Sequence, residues 1–183
     1  MTYIWTAFSF ACCGMIELML GISGIYAPLV LLCMFYFGAF KHWRFALFAG
    51  LFIGSAVEMS YGRPMPICLL LLPFVTILSK FWRWTGGTVG ILRQSVPGMF
   101  VGLLGGIGGI VLKTRIMGTY DGSWRLALMS ASVGFFLFPV LCGILDMVAG
   151  WMALNRYTRL SSGRRDYLSW QEEEYDFDED FID

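Results

Sequence analysis

Apolar runs and short polar breaks alternate through most of this chain, with breaks at 23–24, 41–44, 61–64, 80–95 and 113–125. The pattern predicts helices over 3–22 and 25–40, a helical hairpin over 45–80 that turns at 61–64, and helices over 96–112 and 126–154. A helix needs roughly 20 residues to cross a hydrocarbon core. The second, third and fourth runs are shorter, so their polar flanks must enter the span or the bilayer must thin. Gly86, Gly87 and Gly90 loosen 85–95, which reads as an interfacial lead-in, and Pro139 is expected to bend the last helix. Six of the seven tryptophans stand at expected span ends, where an amphipathic ring favours the membrane interface.

The expected fold is therefore all-α: a polytopic membrane protein whose residues 1–154 form a bundle of six transmembrane helices, followed by a charged tail over 155–183. Composition agrees, since 57% of the 183 residues are hydrophobic and 14% are charged, against about 25% charged in soluble chains. Half of the charged residues lie after Leu154, which leaves the body poorer still. A net charge of zero averages that body with a basic strip (Arg156, Arg159, Arg164, Arg165) and the acidic end QEEEYDFDEDFID. The strip suits an anionic membrane surface. The acidic end has too little apolar area to fold and reads as a disordered tail, with Tyr175, Phe177 and Phe181 available to a basic partner.

Basic residues set the expected orientation. With the amino terminus inside, the inner breaks and tail hold Lys41, Arg44, Lys80, Arg83 and the four tail arginines, with Arg93 beside them; the outer side holds Arg63, Lys113, Arg115 and Arg125. The positive-inside rule then places both termini in the cytoplasm.

Helical spacing picks out the faces that must point into protein. Gly50, Gly54 and Glu58 recur every four residues, joining two bare backbone patches to one carboxylate. A lipid-facing carboxylate costs roughly 2.5–3.5 kcal/mol on insertion scales. Gly14, Glu17 and Gly21 share a face in the first span, and Gly98, Gly102 and Gly106 with Gly105 and Gly109 form small-xxx-small ladders in the fifth. Asp146 is the third intramembrane acid, and Glu58 with Arg63 and Asp146 with Arg93 are plausible pairs, while Glu17 has no evident one. Both readings of these acids stay open: glue between helices, or contact with a transported or bound group.

Catalytic chemistry is sparse. The single histidine, His42, lies in a basic break beside Trp43, where it reads as interfacial; no G-x-S-x-G, H-E-x-x-H or aspartate-rich repeat occurs. The five cysteines sit in apolar runs without C-x-x-C spacing and read as small buried hydrophobes. The fifth run is glycine-rich but lacks the Gly-Lys-Ser/Thr of a phosphate loop. No catalytic residue, cofactor, metal or nucleic-acid partner is expected, and a lipid-modifying enzyme is the weakest of the functional classes.

The stretch AGLFIGSAVEMSYGRPMPICLLLLPFVTIL resembles the rod shape-determining MreD family, in a glycine-rich helix with an acid at its outer end, a short turn and an apolar helix; the features here are Gly50, Gly54, Glu58, Gly62, Pro64 and Pro66. The acid is glutamate where that family usually has aspartate, and the acidic tail is longer. The resemblance implies a non-catalytic protein of the bacterial inner membrane, part of the machinery of lateral cell-wall synthesis, in contact with membrane lipids, an MreC-like protein and, through it, MreB filaments and wall synthases. Because that family is thought to share its six-helix fold with the vitamin-binding subunits of energy-coupling-factor transporters, such a subunit is the alternative. It would bind its vitamin near the outer face.

Overall fold

Among the described residues the glycine-ladder helix makes its most extensive contact with the last helix. A computed structural model describes residues 1–24, 27–61, 68–84, 91–117, 124–154 and 157, with the backbone alone for 68, 91–93 and 112–117. The elements are α1 (Thr2–Ile22), α2 (Leu29–Gly38), α3 (Trp43–Ser60), α4 (Cys68–Trp84), α5 (Ile91–Met117) and α6 (Trp124–Trp151). Thus the described residues form six helices, and three of them, Thr2–Ile22, Gln94–Val111 and Trp124–Trp151, contain stretches long and apolar enough to cross a membrane.

Along α5 and α6 the chain runs antiparallel and the backbones nearly touch. A Cβ on Gly98 would strike the Gly134 carbonyl, one on Gly102 the Ser130 carbonyl, and one on Gly106 would lie 2.6 Å from the Ala127 Cα. The ladder on α5 therefore meets a matching row of small residues on α6, and Ser130 Oγ donates across it to the Gly102 carbonyl at 2.8 Å. Without a hydrophobic drive between helices in lipid, such close packing and cross-helix bonds hold a pair together. The other arm of the ladder differs: Gly105 faces Pro28 and Leu31 of the α2 entry, and Gly109 has open space before it.

α2 packs against every other helix, and all ten of its residues are buried. A helix apolar all round is buried all round. At about 1.5 Å per residue it is roughly 15 Å long, half a bilayer core. The expected helix over 25–40 is corrected at both ends. Pro28 holds the start, because the residue before a proline is pushed out of the helical region, and the chain leaves the helix after Gly38.

Two further boundaries differ. The expected fifth helix over 96–112 extends to Ile91 and Met117, so Pro97 lies inside it and 113–117 is helix, not loop; a proline is tolerated where neighbouring helices can satisfy the freed backbone groups. The last helix ends at Trp151 because Ala153 takes a left-handed conformation, φ +54°, while Leu154 N–H returns to the Ala149 carbonyl at 2.8 Å. This is the Schellman type of ending, normally made with glycine.

The surface is inverted relative to a water-soluble bundle. On α1, Ile4, Phe8, Met15 and Met19 are exposed while Thr6, Ser9, Gly14 and Glu17 are buried. α4 shows Leu70, Phe74, Ile77 and Phe81 outward and keeps Thr76, Ser79 and Arg83 inside. α6 presents Met129, Phe136, Val140 and Ile144 and buries Ser130, Gly134 and Asp146. Large apolar side chains outside and small or polar ones inside suit a lipid solvent, and contiguous exposed apolar surface on this scale is rare in soluble monomers.

Candidate functional site

The buried charged side chains, Glu17, Glu58, Arg83 and Asp146, gather towards the two ends of α2. Helices α1, α3 and α5 run one way and α2, α4 and α6 the other, so one end of the bundle carries Met1 and Trp151, and the far end carries the α1 and α3 C-termini.

At the far end α2 begins at Pro28 with no capping side chain of its own. The cap comes from α1: Glu17 Oε2 accepts the Val30 N–H at 2.9 Å. A carboxylate at a helix N-terminus satisfies an orphan donor and meets the positive end of the helix dipole. Tyr61, just past α3, donates its hydroxyl to the Glu17 carbonyl oxygen at 2.7 Å and fills the space left by Gly21. Glu58 is 5% exposed, on the same buried face as Gly50 and Gly54. Arg63 lies outside the described residues.

At the terminal end the complementary charge appears. Arg83 of α4 donates to the Ala39 carbonyl at 2.8 Å, and Ser79, one turn earlier, donates to the Phe35 carbonyl at 2.6 Å. The spacing matches because α2 and α4 run parallel, four residues on one helix facing four on the other. A cation at a helix C-terminus complements the dipole there. α2 is thus capped at its start by an acid and at its end by a base, each borrowed from a neighbour.

Asp146 sits beside this second cap. Its Oδ1 accepts the Tyr36 hydroxyl at 2.6 Å and the Tyr157 backbone N–H at 2.7 Å. The Tyr36 and Tyr157 rings stack at 5.4 Å, and Phe138 meets Tyr157 edge-on at 6.3 Å. Tyr157, in the segment that composition assigns to the tail, is wholly buried here. Burial first, then Cys142 and Asp146, pushes its phenol pKa upward, so the hydroxyl stays neutral; it has no hydrogen-bond partner. The Arg93 side chain is outside the described set.

A cavity of about 390 Å³ opens at the same end. Tyr36, Phe37 and Phe40 floor it, Trp5 and Thr6 of α1 form one wall, and Ala153 and Leu154 form the other. Lys41 and His42, on the turn into α3, also line it. Nearby, Lys80 Nζ lies 3.7 Å from the centroid of the Trp43 ring, tying the end of α4 to the start of α3. Among the described residues no group of three or more His, Cys, Asp or Glu stands together as a metal site.

Of the residues singled out by sequence, Glu17, Gly50, Gly54, Glu58, Gly102, Gly106 and Asp146 are buried or packed against a neighbouring helix. They do not form one site: Glu17 and Glu58 share one end, Asp146 holds the other, and Gly102 and Gly106 line a seam. Sequence reasoning missed Tyr36 and Tyr61 as the partners of Asp146 and Glu17, and Ser79 and Arg83 as donors to the carbonyls at the end of α2. The signal was faint, a hydroxyl inside an apolar run and a proline at 28. No family model, curated protein or solved structure matches the chain.

Proposed function

We propose that the chain is an integral protein of the bacterial inner membrane, crossing it six times with both termini in the cytoplasm, and that it serves as a non-catalytic component of the cell-wall elongation complex in the manner of the MreD family. The observation that carries this reading is the α3–α4 hairpin, whose first arm buries Gly50 and Gly54 and ends at a buried Glu58. Those three residues are part of the pattern on which the resemblance rests; its turn residues, Gly62, Pro64 and Pro66, lie outside the described residues. The inverted surface supports the membrane placement. Glu17 and Asp146 hold helices together through hydrogen bonds, a use of intramembrane acids that favours a scaffold. Its partners are an MreC-like protein and, through it, MreB filaments and wall synthases. The vitamin-transporter alternative asks for polar groups free to meet a ligand at the Glu17–Glu58 end, whereas Glu17 there caps α2 and accepts from Tyr61 at its carbonyl.

The test is complementation in a rod-shaped host depleted of its own MreD-like protein, with wild type and Glu58→Gln at matched membrane levels. The wild type is expected to restore rod shape and Glu58→Gln to restore it poorly. Vitamin-dependent growth restored by the wild type, without shape rescue, would reject the scaffold reading. Full rescue by both forms would remove Glu58 from the mechanism.

A further inference from the structure

From the cavity at the terminal end we infer a binding site for the phosphate-bearing headgroup of an anionic phospholipid. α1 packs along α2 and α3, and α6 along α5 and α2, but α1 and α6 do not form a packed pair. The cavity occupies the cleft between them, with α2 as its floor. Its volume, about 390 Å³, falls in the range of roughly 300–1,000 Å³ typical of small-molecule sites.

The chemistry of the lining changes with depth. Phe37 and Tyr36 are buried at the floor, and Trp5 closes the α1 side; Lys41 is exposed and His42 half-buried at the rim. An aromatic wall beneath an ammonium and an imidazole suits a group with an anionic head and an apolar body. The rim also belongs to the basic end of the bundle, with Arg44 and Lys80 flanking Trp43. The one described acid near the floor, Asp146, does not line the cavity and has an oxygen occupied by Tyr36 and Tyr157. A lipid fits this layout better than a soluble anion, which would leave the aromatic floor unused.

This inference rests on the membrane placement and not on the cell-wall role. Membrane pelleting after alkaline carbonate extraction tests that placement separately; release of the chain would remove the premise, whatever the binding data. The binding test uses purified full-length protein in neutral detergent, titrated with phosphatidylglycerol, phosphatidylcholine or free glycerol phosphate. Retained lipid is read by native mass spectrometry and the unfolding midpoint by heating, since a ligand that binds only the folded state raises it. Phosphatidylglycerol is expected to bind in preference to phosphatidylcholine. Lys41→Gln with His42→Gln should cut that preference about fivefold, the effect of one surface charge near an anionic headgroup, whereas Arg44→Gln with Lys80→Gln, at the same end but outside the cavity, should keep it. Thr2→Trp, at the first residue of α1 and in the cavity lining, fills the space with every charge intact and should also lose bound phosphatidylglycerol. Equal loss in both charge variants, wild-type binding by Thr2→Trp, equal binding of phosphatidylcholine, or protection by glycerol phosphate matching the lipid would each overturn the site.

Discussion

The α5–α6 seam and the ends of α2 solve the same problem, holding apolar helices together, by opposite means. The seam brings backbones together and uses one hydroxyl, Ser130, across it. The ends of α2 use side chains that reach over: Glu17 to Val30, Arg83 to Ala39, Tyr36 to Asp146. A seam tolerates no added atom. A cap tolerates a change of side chain if the polar function survives.

The largest effect is expected in the seam. Gly102→Leu must push Ser130 and Ala131 away from α5, and overpacking of this kind costs about 1–3 kcal/mol or more. Gly109→Leu on the same helix faces open space and should change stability little. Reversible unfolding in mixed detergent micelles measures both, and a similar loss for the two would mean that helix propensity, not the seam, sets the cost.

The cap at Glu17 comes next. Glu17→Leu leaves the buried Val30 N–H without its acceptor, a loss of about 1–3 kcal/mol, and removes the negative charge from the start of α2. Glu17→Gln keeps an acceptor and should lose about 1 kcal/mol or less, the share that belongs to the dipole. If Gln were as damaging as Leu, charge rather than hydrogen bonding would hold α2 in place, and the contrast with the seam would become one of electrostatics.

The Asp146 cluster sharpens the same point from the other side. Its bond to Tyr157 uses the backbone N–H, so the Tyr157 hydroxyl adds nothing to it and lies buried without a partner. Tyr157→Phe is expected to leave stability unchanged or raise it by about 1 kcal/mol, because an unsatisfied buried hydroxyl carries a desolvation cost. Tyr36→Phe removes a donor from Asp146 and should lower stability by about 1 kcal/mol. Thermal unfolding in detergent distinguishes the two phenols.

What was legible in the sequence follows the same division. The seam shows as Gly98, Gly102 and Gly106, because residues four apart share a helix face and the pattern is local. Six helices were readable for the same reason, as were the buried positions of Glu17, Glu58 and Asp146, since charge is excluded from lipid. The caps were not readable: the partner of Val30 lies 13 residues away and that of Ala39 lies 44 away, distances no periodicity encodes. Errors at helix ends had two sources. Pro28 was passed over although it starts α2, and the residues just before the fifth apolar run were read as an interfacial lead-in although α5 already begins at Ile91.

The smallest effect is expected where α6 lets go of the membrane-length helix and delivers Tyr157 to Asp146. Ala153 makes that turn at φ +54°, a region in which a Cβ crowds the following carbonyl at roughly 1–2 kcal/mol per residue. Glycine would relieve the crowding but would also have more freedom to lose on folding, roughly 0.5–1 kcal/mol. The difference leaves Ala153→Gly stabilised by a few tenths of a kcal/mol up to about 1 kcal/mol. Thermal unfolding at fixed detergent concentration should show a higher midpoint with the Tyr36–Asp146–Tyr157 cluster intact, as read from the near-ultraviolet signal of its stacked rings. A lower midpoint would mean that the Ala153 methyl, which lines the cavity, contributes more by packing than it costs in backbone strain, and the terminal end would then resemble the seam in depending on a single atom.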